Sequence, residues 1–418
     1  MSDRAPDADV IVVGAGPGGS TTALALADAG LRVVLLEAGA FPRDKVCGDV
    51  LLPELEGHLA ALGLSLDTLA HDARHLIGCD YTSPAGRRVV GEFCDEQGTV
   101  HPWRILPRKV FDHRLASAAA DRGAELREHH RLTDLRWDPE RRLNVLEVRV
   151  GRGSERRDVT LVAPLVVGAD GAGSRVAHAR GLRPDPRGDA PGNTAVALRG
   201  YLPWSENADH LQIVTHRRVL PGCTWIVPNG RGEANVGIVV VASDRRRLEL
   251  NLHRELAGLL GSRIELADVR KFSGWKLPGG HLARSAVSDG LLLVGDAAGF
   301  IDPFTGHGIQ NAMASGRLAA TAAIEALESG DLGADGAALA GYQEAWRRAF
   351  RDEYRLGSLL QRVHRSPRLM EMAIARAGHS RRWADRFMGL VGHAIPRHHA
   401  LGARFLLDLV RPTGRWRS

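Results

Sequence analysis

The sequence predicts an α/β protein with one domain built around a βαβ unit, a second built on an antiparallel β-sheet, and a helical C-terminal segment. Three observations predict it. A glycine-rich turn joins a buried strand to a small-residue helix near the start of the chain, strand-like segments spaced by turns fill the middle, and residues 336–418 are Arg-rich with helical spacing.

Ala8 to Val13 is a compact apolar run, the pattern of a strand buried on both faces. Gly14-Ala15-Gly16-Pro17-Gly18-Gly19 follows, then a helix from about Ser20 to Ala29, then a strand from Arg32 to Leu36 closed by Glu37 and Ala38. Alternation between about Leu76 and Glu92 around Ser83-Pro84-Ala85-Gly86 predicts a hairpin outside the first domain. A helix from about Arg108 to Arg122 and strands around Leu143 to Val150 and Thr160 to Val167 read as a return to that domain. Strands at Ala195 to Leu202, His210 to Thr215, Thr224 to Val227 and Glu233 to Val241 predict the antiparallel sheet. Leu291 to Val294 then leads back, and Gly308 to Leu327 reads as a long helix. The expected boundaries are 1–75, 101–185 and 276–335 for the first domain, 76–100 and 186–275 for the second, and 336–418 for the helical segment.

The first motif defines a Rossmann-type domain. Gly14 permits a tight turn, Gly16 lets backbone amides approach a pyrophosphate, and Gly19 allows helix and strand to pack closely, with Ala15, Pro17 and Gly18 completing the loop. The helix N-terminus offers unpaired N–H groups to a diphosphate. Glu37 can accept from both hydroxyls of an adenosine ribose. This motif alone suits NAD as well as FAD. Two further strand ends favour FAD: Asp170 and Gly171 in the turn after Val167, and Gly295 and Asp296 after Val294, where Asp296 can hold ribityl hydroxyls. Pro303-Phe304-Thr305-Gly306-His307-Gly308-Ile309 then enters the long helix, whose positive end would favour a reduced, anionic flavin.

Composition narrows the classes. Apolar residues make up 44% and charged residues 25% of 418 residues, as in globular proteins. The net charge of +6 comes from scattered basic residues without zinc-finger spacing or a basic helix, so nucleic acid is not expected as a partner. The four cysteines form no C-x-x-C pair, the polar N-terminus is unlike a secretory signal, and no apolar run spans a bilayer. A cytoplasmic protein is expected, with a peripheral membrane contact left open.

From about Asp9 to Glu328 the chain resembles the geranylgeranyl reductase-like flavoproteins, within the para-hydroxybenzoate hydroxylase (PHBH) fold. The resemblance rests on Phe41-Pro42-Arg43-Asp44-Lys45-Val46-Cys47-Gly48-Asp49, on Cys223-Thr224-Trp225-Ile226-Val227-Pro228 with Gly232-Glu233-Ala234-Asn235-Val236-Gly237, and on Gly295 to Gly308. It implies FAD at the domain boundary with Arg108 nearby, a sheet roofing the substrate pocket, and reduction of isolated C=C bonds in prenyl chains. It also implies that Cys47 and Gly48 lie close to the flavin. Two departures touch the site: Val50-Leu51-Leu52-Pro53 stands where many members have Gly-Leu-Thr-Pro, and Gly306-His307-Gly308 where they have Gly-Glu-Gly.

The expected chemistry is hydride transfer from reduced flavin to an isoprenoid or other apolar substrate, with Cys47 or His307 near the proton. Trp225, Pro228 and Phe304 are candidates to line the pocket. Reducing equivalents would come from NAD(P)H or a partner reductase. A flavin-dependent monooxygenase is the alternative. Halogenation is disfavoured because the first Trp of a Trp-x-Trp-x-Ile-Pro motif is missing, and Lys45 and Lys276 read as solvated lysines. A non-catalytic flavin-binding protein is the reading from another class. In the C-terminal segment Trp346, Phe350 and Tyr354 alternate with arginines at helical spacing, which suits a helix docked on the body better than one lying on a membrane.

Overall fold

A computed structural model describes residues 5–182, 194–206, 208–261, 270–278 and 284–396. The chain divides into two units. The first comprises the chain up to Asp72, Leu106–Ala195 and Trp275–Arg351; the second comprises Ala73–Ile105, Val196–Gly274 and the chain from Asp352 onward.

The first unit is organised by a six-stranded sheet. Val10–Val13 lies at its middle, parallel to Val33–Leu36 on one side and to Leu165–Gly168 on the other. Leu291–Leu293 follows on one side, parallel, with the short antiparallel strand Val287–Ser288 at that edge, and Glu125–Arg127 forms the other edge, parallel. The four inner strands are Val and Leu runs buried throughout, as parallel strands covered on both faces require. Helix Pro17–Asp28 begins three residues earlier than the sequence suggested, because Pro17 occupies the first helical turn, where its missing N–H costs nothing. It packs on helix Ile309–Ser329 through glycines: a Cβ on Gly316 would stand 2.7 Å from the Gly18 carbonyl oxygen, and Thr22 Oγ1 donates to the Gly316 carbonyl at 3.2 Å.

Leu143–Val150 does not join the parallel sheet; it pairs antiparallel with His130–Asp138 and Arg157–Ala163 in a separate three-stranded sheet. Both this sheet and Leu165–Gly168, which joins the parallel sheet, lie in the first unit.

The second unit holds a seven-stranded sheet. The hairpin Gly78–Thr82 and Arg88–Glu92 is antiparallel, as are Cys223–Pro228 with Glu233–Val241 and with His210–Val214. His210–Val214 runs parallel to Gly78–Thr82, so the sheet is mixed. One face packs Ile226, Val236, Ile238 and Val240 against Leu256 and Leu260 of helix Leu252–Leu260.

The C-terminal segment is not a body of its own, a correction to the expected boundaries. Helix Ala337–Arg365 starts on the first unit, where Trp346 and Phe350 pack on Phe300 and the Tyr342 hydroxyl donates to the Leu293 carbonyl at 2.6 Å. Helices Pro367–Ala377 and Arg381–Val391 belong to the second unit; a Cβ on Gly91 would stand 2.6 Å from the Ala384 carbonyl oxygen, so this glycine lets the last helix lie on the hairpin. Among the described residues no helix is long and apolar enough to cross a membrane.

Within the second unit, His364 in the last turn of helix Ala337–Arg365 bonds to Pro221 and Tyr81. The Pro221 carbonyl can only accept, so Nδ1–H donates to it at 2.9 Å, and Nε2 is left to accept the Tyr81 hydroxyl at 2.7 Å. Burial holds its pKa below the ordinary 6.5, the Pro221 bond opposing in part. Below 6.5 the unfolded chain takes up the proton first, so this contact's stability is full above that pH and is lost as pH falls towards the lower folded value. His364→Phe is expected to cost about 1–3 kcal/mol near neutrality and to flatten the acid-side fall in melting temperature; an unchanged pH profile would refute this role.

Candidate functional site

The carboxyl ends of the parallel strands converge where the chain, having left Val10–Val13 on one side, returns on the other. Ligands of open α/β sheets bind at this switch point. Gly14 has φ +104°, and a Cβ there would stand 2.5 Å from the Ala169 carbonyl oxygen; on Gly19 it would stand 1.8 Å from the Gly14 carbonyl oxygen. Only glycine fits either place. Gly16 differs: no atom lies within 4 Å of where its Cβ would stand, although it is the N-cap of the first helix. Ala15, Pro17 and Gly18 are buried around it.

Three acids were expected to bind the cofactor. Glu37 Oε1 accepts from the Gly39 amide at 2.8 Å and Oε2 pairs with Arg43 Nε at 2.9 Å, beside the half-buried Ala38. Asp296 Oδ2 pairs with Lys45 Nζ at 3.0 Å. Lys45 is therefore not the solvated lysine expected: its side chain is 25% exposed, and Nζ lies 3.9 Å from where a Cβ on Gly171 would stand. The Asp170 carboxylate has a structural task instead, accepting the Ser174 hydroxyl at 2.5 Å and the Arg175 amide at 2.6 Å to fasten the start of helix Arg175–Ala179. Burial pushes its pKa up, those hydrogen bonds opposing.

Behind the glycine loop lies a charge cluster that sequence reasoning missed. Asp112 is fully buried and accepts Arg108 Nε at 2.7 Å, Arg108 Nη2 at 2.8 Å and Arg43 Nη1 at 2.9 Å. Arg43 Nη2 also donates to the Ala15 carbonyl at 3.1 Å, so one guanidinium ties the glycine loop, Glu37 and Asp112 together. Burial works against the charge on Asp112, but Arg108 and then Arg43 outweigh it and hold the carboxyl below its usual range. Burial likewise opposes the charge on Arg108, which the Asp112 carboxylate sustains, with the Cys47 side chain close by. The loop bearing Cys47 and Gly48 is held by Asp49, which has φ +62°, accepts the Arg108 amide at its carboxylate (3.2 Å) and the Leu106 amide at its carbonyl (3.0 Å).

The segment before the long helix is organised by Asp302, another residue the sequence did not single out. Its carboxylate accepts the Phe304 amide at 2.7 Å and the Thr305 amide at 3.2 Å, and its own amide donates to the His307 carbonyl at 2.9 Å. Pro303, Phe304 and His307 are half-buried on this turn, with Gly306 exposed at φ +71°. Gly308 is required: a Cβ there would stand 2.9 Å from Ile301 and 3.2 Å from Asp296 Oδ1. Gly295 packs against Ala312, and Ile309 is buried in the first turn.

In the second unit, Trp225 lies across Gly237, its direct cross-strand partner, and Nε1 donates to Asn235 Oδ1 at 2.9 Å. This contact accounts for the Trp and the closing Gly of the quoted motif. Trp225 stands on the face opposite Ile226 and Val236. Pro228, an odd number of residues along an unbroken register, falls on the other face and is buried, so the two do not line one surface together.

These residues fit FAD. Gly16 and Gly306 leave open space, neither helix Pro17–Asp28 nor helix Ile309–Ser329 has a side-chain cap, and Gln310 Nε2 in the second helix's first turn is buried without a partner among the described residues. Two uncapped helix N-termini with carboxylates at the neighbouring strand ends suit a diphosphate, ribose and ribityl hydroxyls, and an electron-rich ring. The site is that of a flavin-dependent oxidoreductase.

Comparisons agree. Residues 7–349 match the family model described as FAD binding domain. A menaquinone reductase of Mycolicibacterium smegmatis is 32% identical over 380 residues, 84% of this chain and 82% of that protein. A digeranylgeranylglycerophospholipid reductase of Methanosarcina acetivorans is 30% identical over 344 residues, 81% of this chain and 80% of that protein. A solved geranylgeranyl bacteriochlorophyll reductase-like protein of Thermoplasma acidophilum shares the fold, with TM-score 0.78 and 23% identity over 96% of this chain and 99% of that one. The chain belongs to the FAD-binding family and, within it, to the geranylgeranyl reductase-like oxidoreductases with the PHBH fold.

Proposed function

We propose that this chain reduces C=C bonds of an apolar isoprenoid substrate. The observation that carries the reading is similarity over more than four-fifths of the chain to two reductases whose names both specify isoprenoid-bearing molecules. When bound, reduced FAD supplies a hydride at N5, and NAD(P)H or a partner reductase replenishes it.

The chain's own residues hold and protect the site. The Gly14–Gly19 loop and its helix take the diphosphate, Glu37 the ribose, Asp296 the ribityl chain, and the Pro303–Ile309 turn the ring edge. An unactivated alkene has no carbonyl to stabilise developing charge, so excluding water and placing the proton donor matter most. Cys47 Sγ, held beside Arg108, and the His307 imidazole are the candidate proton donors to the second alkene carbon. Phe304, on the turn before the long helix, is the candidate apolar contact of the first unit.

The test is to reduce the bound flavin without oxygen, add a prenylated quinone or an isoprenoid lipid, and follow flavin absorbance together with product mass. Reoxidation with a gain of two hydrogens is expected. Oxygen incorporation seen only after air is admitted would overturn the reading in favour of a monooxygenase, and no response to either addition would favour a non-catalytic flavoprotein.

A further inference from the structure

The helices after Arg351 carry basic and apolar residues whose placement the active site does not explain. On helix Ala337–Arg365 the aromatic stripe expected to dock does so: Trp346, Phe350 and Tyr354 are all buried. Helix Pro367–Ala377 also has a committed inner face, with Met370, Ile374 and Ala377 buried. Glu371 accepts the Ser83 hydroxyl at 3.0 Å and the Ala85 amide at 2.8 Å.

Its outer face is exposed. Leu369 is 48% and Met372 67% exposed, one turn apart, and Leu359 at the end of the preceding helix is 37% exposed. These are three of the four large hydrophobics exposed among the described residues. Arg362, Arg365 and Arg368 are exposed in the same stretch. Its only acid is Glu371, half-buried and engaged with the hairpin. A single exposed Leu needs no explanation, but paired apolar side chains flanked by arginines without an exposed acid are complementary to an anionic bilayer surface. Apolar tips enter the headgroup boundary and guanidinium groups reach phosphates.

We infer that the Leu369–Met372 face, with Arg362, Arg365 and Arg368, docks this protein on anionic phospholipid. The inference goes beyond the proposed reaction and stands without it, since lipid binding is read in the absence of turnover. If the substrate is a membrane isoprenoid, the same face delivers the enzyme to it.

The test is co-sedimentation of the full FAD-loaded chain with phosphatidylglycerol–phosphatidylcholine vesicles and with phosphatidylcholine alone. Binding to the anionic vesicles, weakened by added salt, is expected. Arg365→Ser with Arg368→Ser should weaken it on the order of 10- to 30-fold at low salt, and Leu369→Ser with Met372→Ser about tenfold or more, with flavin content and melting unchanged. Wild-type protein left in the supernatant, or both variants binding like wild type, would overturn the inference. So would a Leu369→Ser, Met372→Ser variant that changes oligomeric state but not vesicle binding, which would make the face a contact between copies.

Discussion

Gly19→Ala should give a chain that loses both stability and flavin, whereas Gly16→Ala, three residues away, should lose flavin affinity alone. At Gly19 the added methyl would stand 1.8 Å from the Gly14 carbonyl oxygen, a backbone atom that cannot move without opening the turn. Overpacking of this kind costs about 3 kcal/mol or more. At Gly16 the backbone has an ordinary φ of −79° and open space, so the fold should change by about 1 kcal/mol or less. The same methyl would intrude where a diphosphate meets the helix N-terminus, and FAD affinity should fall on the order of tenfold or more. Melting of the flavin-free protein and fluorescence titration with FAD separate the two effects. Equal destabilisation by both substitutions would mean that the space at Gly16 serves the fold.

That contrast shows why part of the site was legible in the sequence. The glycine loop is local: a strand, a turn and a helix adjoin, and Gly14, Gly16 and Gly19 have separate tasks within six residues. The Asp302 turn is local too, but an Asp before a Pro has many ordinary uses, and nothing nearby distinguishes this one. The charge cluster is not local. Arg43 meets Asp112 across 69 residues and Lys45 meets Asp296 across 251, so neither partner could be read locally and Lys45 looked like a solvated lysine. The partners of Leu143–Val150 were hidden for a related reason: its apolar pattern specifies buried faces, not a partner strand, and its neighbours are His130–Asp138 and Arg157–Ala163. Trp225 and Gly237 became intelligible only through cross-strand register, which puts the indole where a Cβ would otherwise stand.

Asp112→Ala is the other large effect expected. Removing this carboxylate leaves the buried Arg108 guanidinium without its two shortest contacts and takes from Arg43 the anchor that connects it to the Ala15 carbonyl and Glu37. Breaking one side of a buried ion pair typically costs about 3–5 kcal/mol, and melting should show a loss of that size. Asp112→Asn should lose less, because its amide oxygen still accepts one guanidinium N–H. The more telling variant is Arg108→Met with Asp112→Leu. Replacing both charges with apolar side chains removes the desolvation cost along with the attraction, so much of the stability should return. FAD affinity should not return with it, because the double variant restores neither the Arg108 contact to Cys47 nor the Asp112 anchor for Arg43. If affinity recovers together with stability, the cluster is only a buried brace; if stability alone recovers, the charges are retained because they position the glycine loop and the Cys47 loop around the flavin.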